Sequence, residues 1–246
     1  MKLILLRHGQ SQWNLENRFT GWKDVSLTEA GIAEAKYSGK QLLKMNIDII
    51  SVYTSLLSRA TQTTDIVTNI LKFPSSKIIK DWRLNERHYG ALEGLNKSET
   101  ASKYGENQVN IWRRSFDKPP PLLKEDDERH PKFNSKFNVI DGDLPKGESL
   151  KDVINRLRPF WEEYVKYITS QKGNHLIVAH SNTLRAIVKI LDQLSDKEII
   201  AINIPTGVPL VYSIDLKLNV LNKKYLISND ELKAKQEIVA NQGKIK

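Results

Sequence analysis

The sequence predicts an α/β protein with three layers, in which a mainly parallel, mixed β-sheet lies between two layers of helices. Short, almost continuous apolar segments alternate with longer segments whose apolar residues recur at helical spacing. The 246-residue chain is 39% hydrophobic and 27% charged, which is ordinary for one such domain. We therefore expect a single domain over residues 1–246.

Strands and helices alternate along the chain. Runs rich in Val, Ile and Leu predict strands at residues 2–6, 48–53, about 77–83, 175–179, 208–214 and 220–227. Apolar residues at helical spacing predict helices at residues 26–45, 54–71, 96–104, 148–168 and 184–191. This alternation implies a mainly parallel sheet that is covered on both faces.

Cap and breaker residues define several helix ends. Residues 26–29 fit a capping box, and residues 54–55 supply a cap for the second helix. Asn96 starts a short helix that Gly105 ends, and Pro159 is expected to kink the long helix.

Two segments have no apolar periodicity. Residues 117–147 include three consecutive prolines and mixed charges. A loop of this length in a compact domain indicates a lid or binding loop, with a mobile insertion as the alternative. The segment at 228–246 is polar and lysine-rich, so we expect a loosely held tail that is a second candidate lid.

The composition excludes several classes of site. The chain has no cysteine, which rules out disulfides, thiolate nucleophiles and cysteine-ligated zinc. No stretch approaches the roughly 20 apolar residues of a membrane span, and residues 1–6 are too short for a signal peptide. We therefore expect a cytoplasmic protein with no membrane partner.

The net charge of +9 leaves nucleic-acid binding open as an alternative. However, the lysines are interspersed with acidic residues and stand out mainly near the end of the chain. The arginines instead follow apolar segments or turns, and arginine suits bidentate binding of phosphate. Local anion binding explains this pattern better, so no nucleic-acid partner is expected.

Two histidines directly follow predicted strands. His8 comes after residues 2–6, and His180 comes after residues 175–179. Ligands bind at the carboxyl ends of parallel strands, so both histidines are expected at one edge of the sheet. One histidine there would more often be structural, whereas two at matching strand ends indicate a site.

Arginines are predicted near the same edge, namely Arg7, Arg59, Arg113 and Arg114. Each alone could be a surface ion pair, but together they indicate a phosphate pocket. The chain has neither a P-loop nor a His-Glu-x-x-His motif, and no acidic spacing typical of metal ligands. The charge of a transferring phosphoryl group would then be met by arginine, histidine and backbone amides, and a histidine nucleophile fits this inventory.

The segment Leu6-Arg7-His8-Gly9 resembles the Arg-His-Gly signature of the histidine phosphatase superfamily. Further segments are similar to its cofactor-dependent phosphoglycerate mutase branch, namely residues 11–14, 19–22, 84–97, 112–114, 126–129, 203–209 and 240–244. The resemblance covers nearly the whole chain. It implies a phosphoglycerate mutase-like fold and a metal-independent isomerase that interconverts 3-phosphoglycerate and 2-phosphoglycerate in glycolysis and gluconeogenesis, primed by 2,3-bisphosphoglycerate.

The resemblance also implies residue roles. His8 would become phosphohistidine, and Glu86 would act as general acid and base. Arg7, Arg59 and a charged His180 would surround the transferring group. The implied substrate-binding residues are Arg7, His8, Gly9, Gln10, Ser11, Gln12, Trp13, Asn14, Thr20, Gly21, Arg59, Glu86, Arg87, His88, Tyr89, Lys97, Arg113, Arg114, Ser181 and Asn182.

The sequence departs from the family pattern at three positions. Gln10 and Gln12 stand where many members carry Glu, which we expect to matter little. Ser181 stands where Gly is usual, and its Cβ is expected to crowd the phosphate or shift the backbone amide, which would leave a working enzyme with a reduced rate.

Three alternatives stay open. A phosphatase, or a bisphosphoglycerate synthase or phosphatase, of the same superfamily would share these residues, and a non-catalytic phosphate or nucleic-acid binding module is the remote one. The resemblance further suggests a homodimer or homotetramer that acts on small-molecule phosphoglycerates.

Overall fold

The computed structural model describes residues 1–242 and 244. They form a six-stranded sheet with helices on both faces, which confirms the predicted fold class. The strands are β1 (Lys2–Arg7), β2 (Ile49–Thr54), β3 (Ile78–Lys80), β4 (Asn174–Ala179), β5 (Pro209–Ile214) and β6 (Val220–Tyr225). The helices are α1 (Gln12–Leu15), α2 (Glu29–Lys44), α3 (Ser58–Leu71), α4 (Lys97–Tyr104), α5 (Glu106–Arg114), α6 (Leu150–Ser170), α7 (Ser181–Leu191), α8 (Glu198–Ala201) and α9 (Asn229–Asn241).

The strand order in the sheet is β3-β2-β4-β1-β5-β6. The first four strands in this order are parallel, while β5 is antiparallel to both β1 and β6. Strands β1 and β4 pair in register from Lys2 opposite Asn174 to Arg7 opposite Ala179. The residues that follow these two strands therefore emerge side by side at one edge of the sheet.

The two faces of the sheet build two cores, because successive side chains of a strand point to opposite faces. Leu3 and Leu5 pack in a cluster with residues of α6 and α7, such as Leu157 and Leu184. Ile4 and Leu6 of the same strand pack in a second cluster with residues of α2 and α3. Each such buried aliphatic side chain stabilises the fold by about 1.5–3 kcal/mol, so these cores fix the strand ends that carry the site.

Two predicted helix starts are wrong by a few residues. Helix α2 is capped by Thr28, whose side chain accepts the amide of Gly31, and not by Ser26. Thr54 still belongs to β2, and Ser55 lies outside α3, which begins after Leu57 without a side-chain cap. The sheet extends β2 beyond the position that local cap preference favours, and this moves the start of the helix.

Other predictions for the helices hold. Asn96 caps α4 by accepting the amides of Ser98 and Glu99, and Gly105 follows its last residue. Arg59 is the second residue of α3, as expected. Helix α6 continues through Pro159.

The segment predicted as an N-terminal loop contains the short helix α1. Ser11 and Asn14 form a capping box at the start of this helix.

Residues 117–147 are largely irregular, with two 3₁₀ turns at Pro131–Phe133 and Ser135–Phe137. Backbone hydrogen bonds tie the segment down, including one from the amide of Ala91 to the carbonyl of Pro121. The side chains of Leu123 and Phe137 are buried. The predicted loop is therefore packed against the domain.

Residues 229–241 of the predicted tail form helix α9, with Ser228 as its cap. Lys235 forms an ion pair with Glu34 at 3.0 Å, and Gln236 donates to the carbonyl of Asn203. These partners are remote in sequence, and for that reason composition alone did not reveal them. Gly243, Ile245 and Lys246 of the predicted tail lie outside the described residues. Over residues 1–242 and 244, no helix has both the length and the apolar character needed to cross a membrane.

Candidate active site

His8 lies directly after β1, and its side chain is only 2% exposed. Its Nδ1 is 2.7 Å from the carbonyl oxygen of Gly9, an acceptor that requires the proton to sit on Nδ1. Arg59 Nε donates to His8 Nε2 at 3.3 Å, so this nitrogen carries no proton and accepts through its lone pair. Burial, and then the neighbouring Arg59 and Arg7, hold the pKa of His8 well below its usual value. His8 is therefore a neutral imidazole with Nε2 as its nucleophilic atom.

Two buried arginines flank this imidazole. Arg7 donates from Nη1 to the carbonyl oxygen of Ile204 at 2.7 Å. Arg59 donates from its two Nη atoms to the carbonyl oxygens of Lys23 at 3.0 Å and Gly21 at 2.8 Å. Burial lowers the pKa of Arg59 to about 10, so its guanidinium still carries a full charge at neutral pH. Backbone carbonyls thus aim both cations without neutralising them.

His180 follows β4 and precedes helix α7, and its side chain is fully buried. Its ring lies 4.9 Å from that of His8, between centroids. Its Nε2 shares a 2.7 Å hydrogen bond with Ser55 Oγ, and its Nδ1 has no partner in the described part of the chain. Burial, and then the neighbouring Arg59, His8 and Arg7, hold the pKa of His180 well below its usual value. The charged His180 that the family resemblance implied is therefore neutral in the absence of an anion.

Glu86 is nearly buried beside the two histidines. Its Oε1 accepts the backbone amides of Arg87 at 2.8 Å and Asn182 at 3.2 Å. Asn182 also lies in the first turn of α7, so this carboxylate joins the segment after β3 to the segment after β4. The contact places a proton-exchanging group next to the phosphate pocket.

Most of these residues line a single cavity at the carboxyl ends of the parallel strands, which we divide into two parts. The inner pocket is lined by Arg7, His8 and Arg59, and the fully buried ring of His180, which is not part of the lining, lies 4.9 Å from that of His8. The outer rim is formed by Lys97, Arg113, Arg114, Val239 and Gln242. The other residues that line the cavity are Asn14, Arg18, Thr20, Glu86, Tyr89, Ser181 and Asn182.

The C-terminal segment closes the outer rim. Arg113 Nη2 and Arg114 Nη2 both donate to the carbonyl oxygen of Val239, at 3.4 and 3.3 Å. Lys97 Nζ donates to Gln242 Oε1 at 3.1 Å. Burial, and then the charges of Arg113, Arg7 and Arg114, hold the pKa of Lys97 well below its usual value. The rim is thus crowded with basic side chains whose partners are neutral oxygens.

Several predicted binding residues do not line the cavity. Ser11 caps α1, Gln12 is exposed and bonds Glu16, and Gln10 bonds Thr28 through its side chain. His88 is buried, and its Nδ1 accepts the amide of Gly90. The predicted residues that the structure places behind the lining or beside it are Gly9, Gln10, Ser11, Gln12, Trp13, Gly21, Arg87 and His88.

Arg87 is fully buried beneath the outer rim. Its guanidinium lies 4.5 Å from the ring centroid of Tyr89 and donates to the carbonyl oxygen of Arg113. Its Nε and Nη1 have no partner among the residues that the structure describes. The side chain holds Tyr89 and the end of α5 in place.

Ser181 fits its backbone position. It is the first residue of α7 and is absent from the residues with positive φ, so its backbone conformation suits any amino acid. Its side chain lines the cavity. The helix start therefore does not require glycine, and the expected crowding of the phosphate by Ser181 stays a prediction.

Four residues of the site were missed by sequence reasoning. Ser55 was assigned to a helix cap, although Ser55 Oγ contacts His180. Arg18 lines the cavity and donates to the carbonyl oxygen of Gly94. Val239 and Gln242 were placed in a loose tail. Only Ser55 had a local signal, as a polar residue directly after a buried strand.

The domain model of the histidine phosphatase superfamily (branch 1) matches residues 3–129 and 121–217 of the chain. The 2,3-bisphosphoglycerate-dependent phosphoglycerate mutase of Treponema denticola is 51% identical over 247 residues, which cover all of both proteins. A protein of the same name from Hydrogenobaculum sp. is 49% identical over 98% of both chains.

Solved structures share the fold at low sequence identity. A mycobacterial glucosyl-3-phosphoglycerate phosphatase superposes with a TM-score of 0.70 at 22% identity, covering 93% of this chain and 98% of that one. Bacillus stearothermophilus YhfR superposes with a TM-score of 0.66 at 24% identity, covering 89% and 93%. Within residues 1–242 and 244, no group of three or more His, Asp or Glu side chains is arranged to hold a metal ion.

The full-length similarity and the paired histidines at the ends of β1 and β4 lead to the same assignment. The chain belongs to the histidine phosphatase superfamily, and within it to the 2,3-bisphosphoglycerate-dependent phosphoglycerate mutases.

Proposed function

We propose that this protein interconverts 3-phosphoglycerate and 2-phosphoglycerate, with His8 as the phosphoryl carrier. The observation that carries the proposal is the state of His8, whose Nδ1 proton is bound by Gly9 while Nε2 faces Arg59. Full-length relatives that are about half identical are phosphoglycerate mutases, which favours this substrate pair.

The chemistry of the cavity fits a ligand with several anionic groups. Buried donors without partners in the described chain lie in the cavity wall or close to it, namely Arg7 Nε in the wall, and Arg87 Nε and Nη1 and His180 Nδ1 outside the lining. An unpaired buried donor costs about 1–3 kcal/mol, and an anion would remove that cost. When bound, 2,3-bisphosphoglycerate supplies the phosphoryl group that primes His8. The inner pocket would hold the transferring phosphate, and the outer rim would hold the carboxylate and the distal phosphate.

The protein residues then act in defined roles. His8 Nε2 attacks phosphorus, and the Nδ1 hydrogen bond to Gly9 holds the ring and stabilises the positive charge that develops on it. Arg7 and Arg59 meet the charge on the equatorial oxygens. Their guanidinium groups are already aimed by backbone carbonyls, so little reorganisation is needed during transfer.

Glu86 acts as the general acid and base. It takes the proton of the substrate hydroxyl as that oxygen attacks phosphohistidine, and it returns a proton to the oxygen in the reverse direction. The amides of Arg87 and Asn182 hold one carboxylate oxygen, which fixes the orientation of the group. The second oxygen is available for exchange.

His180 becomes protonated when the ligand binds. The same desolvation and cation repulsion that keep it neutral are offset once a phosphate dianion enters the inner pocket. Its Nδ1, which lacks a partner in the described structure, then donates to the phosphoryl group.

Water is excluded by two segments of the chain. Helix α9 lies against the outer rim, and residues 117–147 pack beside Ala91. We propose both as lids that protect the phosphoenzyme from hydrolysis. We also propose a cytoplasmic enzyme that forms a homodimer or homotetramer, as the family resemblance implies.

The test is intact mass after brief incubation with 2,3-bisphosphoglycerate, together with assays of isomerisation and phosphate release. The wild type should gain one acid-labile phosphate. A His130→Asn control should gain one as well, because asparagine can replace histidine as the side-chain cap of the 131–133 turn. His8→Asn should gain none and should lose activity by at least about 1,000-fold. Phosphate release without isomerisation would instead assign a phosphatase, and an unlabelled wild type would contradict the proposal.

A further inference from the structure

Glu93 is a buried carboxylate outside the cavity, and it is 5% exposed. It follows the 3₁₀ turn at Gly90–Leu92. Its Oε2 accepts two backbone amides of the 21–23 turn, from Trp22 at 3.0 Å and from Lys23 at 3.2 Å. One carboxylate oxygen therefore anchors two successive peptide groups.

The same turn holds the guanidinium group of Arg59. The carbonyl oxygens of Gly21 and Lys23 accept its two Nη atoms, and its Nε donates to His8 Nε2. The amides of the turn thus point to Glu93, and its carbonyls point to Arg59. A shift of the turn away from Glu93 would move the arginine relative to His8.

The fit between Glu93 and the turn is close. Gly21 has a φ of +54°, and a Cβ at this position would lie 2.7 Å from Glu93 Oε2. Glycine is needed both for the left-handed backbone and for the approach of the carboxylate. The contact therefore depends on glycine at position 21 as well as on the carboxylate of Glu93.

We infer that Glu93 is a positioning residue for phosphoryl transfer: by anchoring the 21–23 turn it fixes the guanidinium of Arg59 against His8. The inference rests on the proposed phosphohistidine function. It adds a residue that touches neither the cavity nor the reacting atoms, yet sets the geometry of one that does. A displacement of only about 1 Å in such a group can lower a rate by about 100-fold.

The ionisation of Glu93 provides a readout that a merely structural residue would lack. Burial raises the pKa of Glu93 to about 7, although the amides of Trp22 and Lys23 and the charges of Arg129 and Arg59 oppose the rise. His88 Nε2 lies 4.0 Å away, but burial lowers the pKa of His88 to about 3, so it stays neutral. The carboxylate is a better acceptor than the acid, so phosphorylation should slow as pH falls through about 7.

The experiment measures the rate of His8 phosphorylation by 2,3-bisphosphoglycerate in rapid quench, from pH 6 to pH 8.5. Glu93→Ala should be slower than wild type by about 10- to 100-fold. Glu93→Gln keeps an acceptor oxygen in place, so it should remain within about 3-fold of wild type at pH 8 and lose the ionisation near pH 7. Glu162→Ala, which removes an exposed carboxylate on α6, is the matched control and should behave as wild type.

Three results would overturn the inference. These are a wild-type rate in Glu93→Ala, a rate in Glu93→Gln at pH 8 as low as that of Glu93→Ala, and an unchanged pH profile in Glu93→Gln. If Glu93→Ala does not fold, the pH profile of Glu93→Gln decides alone.

Failure of the proposed function is recognised separately, because the wild type itself would then form no phosphohistidine. In that case the link is tested by the affinity for inorganic phosphate in a double-mutant cycle. Glu93→Ala should weaken binding when Arg59 is present and have no effect in an Arg59→Met background. Additive effects of the two substitutions would contradict the link.

Discussion

The inner pocket and the outer rim bind charge in different ways. In the inner pocket, His8 and Arg59 are fixed by carbonyl oxygens of Gly9, Gly21 and Lys23, which lie close to the sheet edge. In the outer rim, Arg113 and Lys97 bond oxygens of the C-terminal segment, which is more than 120 residues away along the chain. The first set is held by the fold itself, and the second by a helix with one buried side chain, Val239.

This difference separates the chemistry from the closure. Groups that carry out phosphoryl transfer need fixed geometry, and burial between strand ends and helix starts provides it. Groups that admit and retain a ligand must release their partners first. Segments with few buried apolar contacts open at low free-energy cost, and α9 meets that description.

The largest expected effect is on the inner pocket. Arg59→Lys cannot reproduce three donors to Gly21, Lys23 and His8, so kcat should fall by about 100-fold or more while KM changes little. Steady-state kinetics would measure this. Arg83→Lys is the control, because Arg83 pairs with Asp81 and Glu163, lies over the ring of Phe160 and does not line the cavity. A wild-type kcat in Arg59→Lys would show that transfer does not depend on the fixing of Arg59 by the carbonyl oxygens of Gly21 and Lys23.

The outer rim should respond in the opposite way. Removing residues 229–246 exposes Arg113 and Arg114, so KM should rise and hydrolysis of the phosphoenzyme should accelerate, each by about 10-fold. The assay follows loss of labelled phosphate from His8. Ile238→Ala, which alters an exposed face of the same helix, should change neither quantity. An unchanged rate of hydrolysis on truncation would refute the role of α9 as a lid.

A third prediction concerns proton uptake, to which both regions contribute. The pKa values of His180 and Lys97 are held below their usual values by burial and by neighbouring cations. In the free protein these groups bind fewer protons than in the unfolded chain, so they destabilise the fold as pH falls below their ordinary pKa values. An anion raises both pKa values, and ligand binding should therefore be accompanied by net uptake of protons.

Calorimetry of 3-phosphoglycerate binding at pH 7, in buffers of different ionisation enthalpy, measures this uptake. Lys97→Met should lower the number of protons taken up, because it removes one of the two groups. Release of protons on binding would contradict the assigned charge states.

The smallest effect is expected at Ser181. Since its backbone is unstrained, Ser181→Gly should change kcat by less than about 3-fold and destabilise the first turn of α7 by at most about 1 kcal/mol. Kinetics and thermal unfolding measure the two quantities. A tenfold gain in kcat would support the expected crowding of the phosphate by the serine.

The sequence was sufficient for the inner pocket because its signals are local. His8 and His180 each follow an apolar strand, and the rule for parallel sheets brings such residues together. The resemblance added Glu86, which no spacing rule would have singled out. Ser55 was misread because a polar residue after a strand fits a helix cap as well as a contact to His180.

The outer rim could not be predicted in the same way. The contacts of α9 join residues 125 and 145 positions apart, and no local pattern encodes them. The polar composition of the segment is typical of a disordered tail, yet polar bonds to Glu34, Asn203 and Lys97 hold it. Charge states such as that of His180 also depend on burial and neighbours, which only three-dimensional proximity determines.

The pairing of β1 with β4 limits where residues can be inserted or removed in a redesign of this enzyme. Arg7 lies opposite Ala179, so the two histidines leave the sheet at the same height. One residue inserted into β1 would turn His8 to the opposite face, and two would restore its face but advance it by about 6.6 Å. Length changes can thus be placed in the loops but not in these strands, and recombination with other α/β scaffolds must exchange β1 and β4 together.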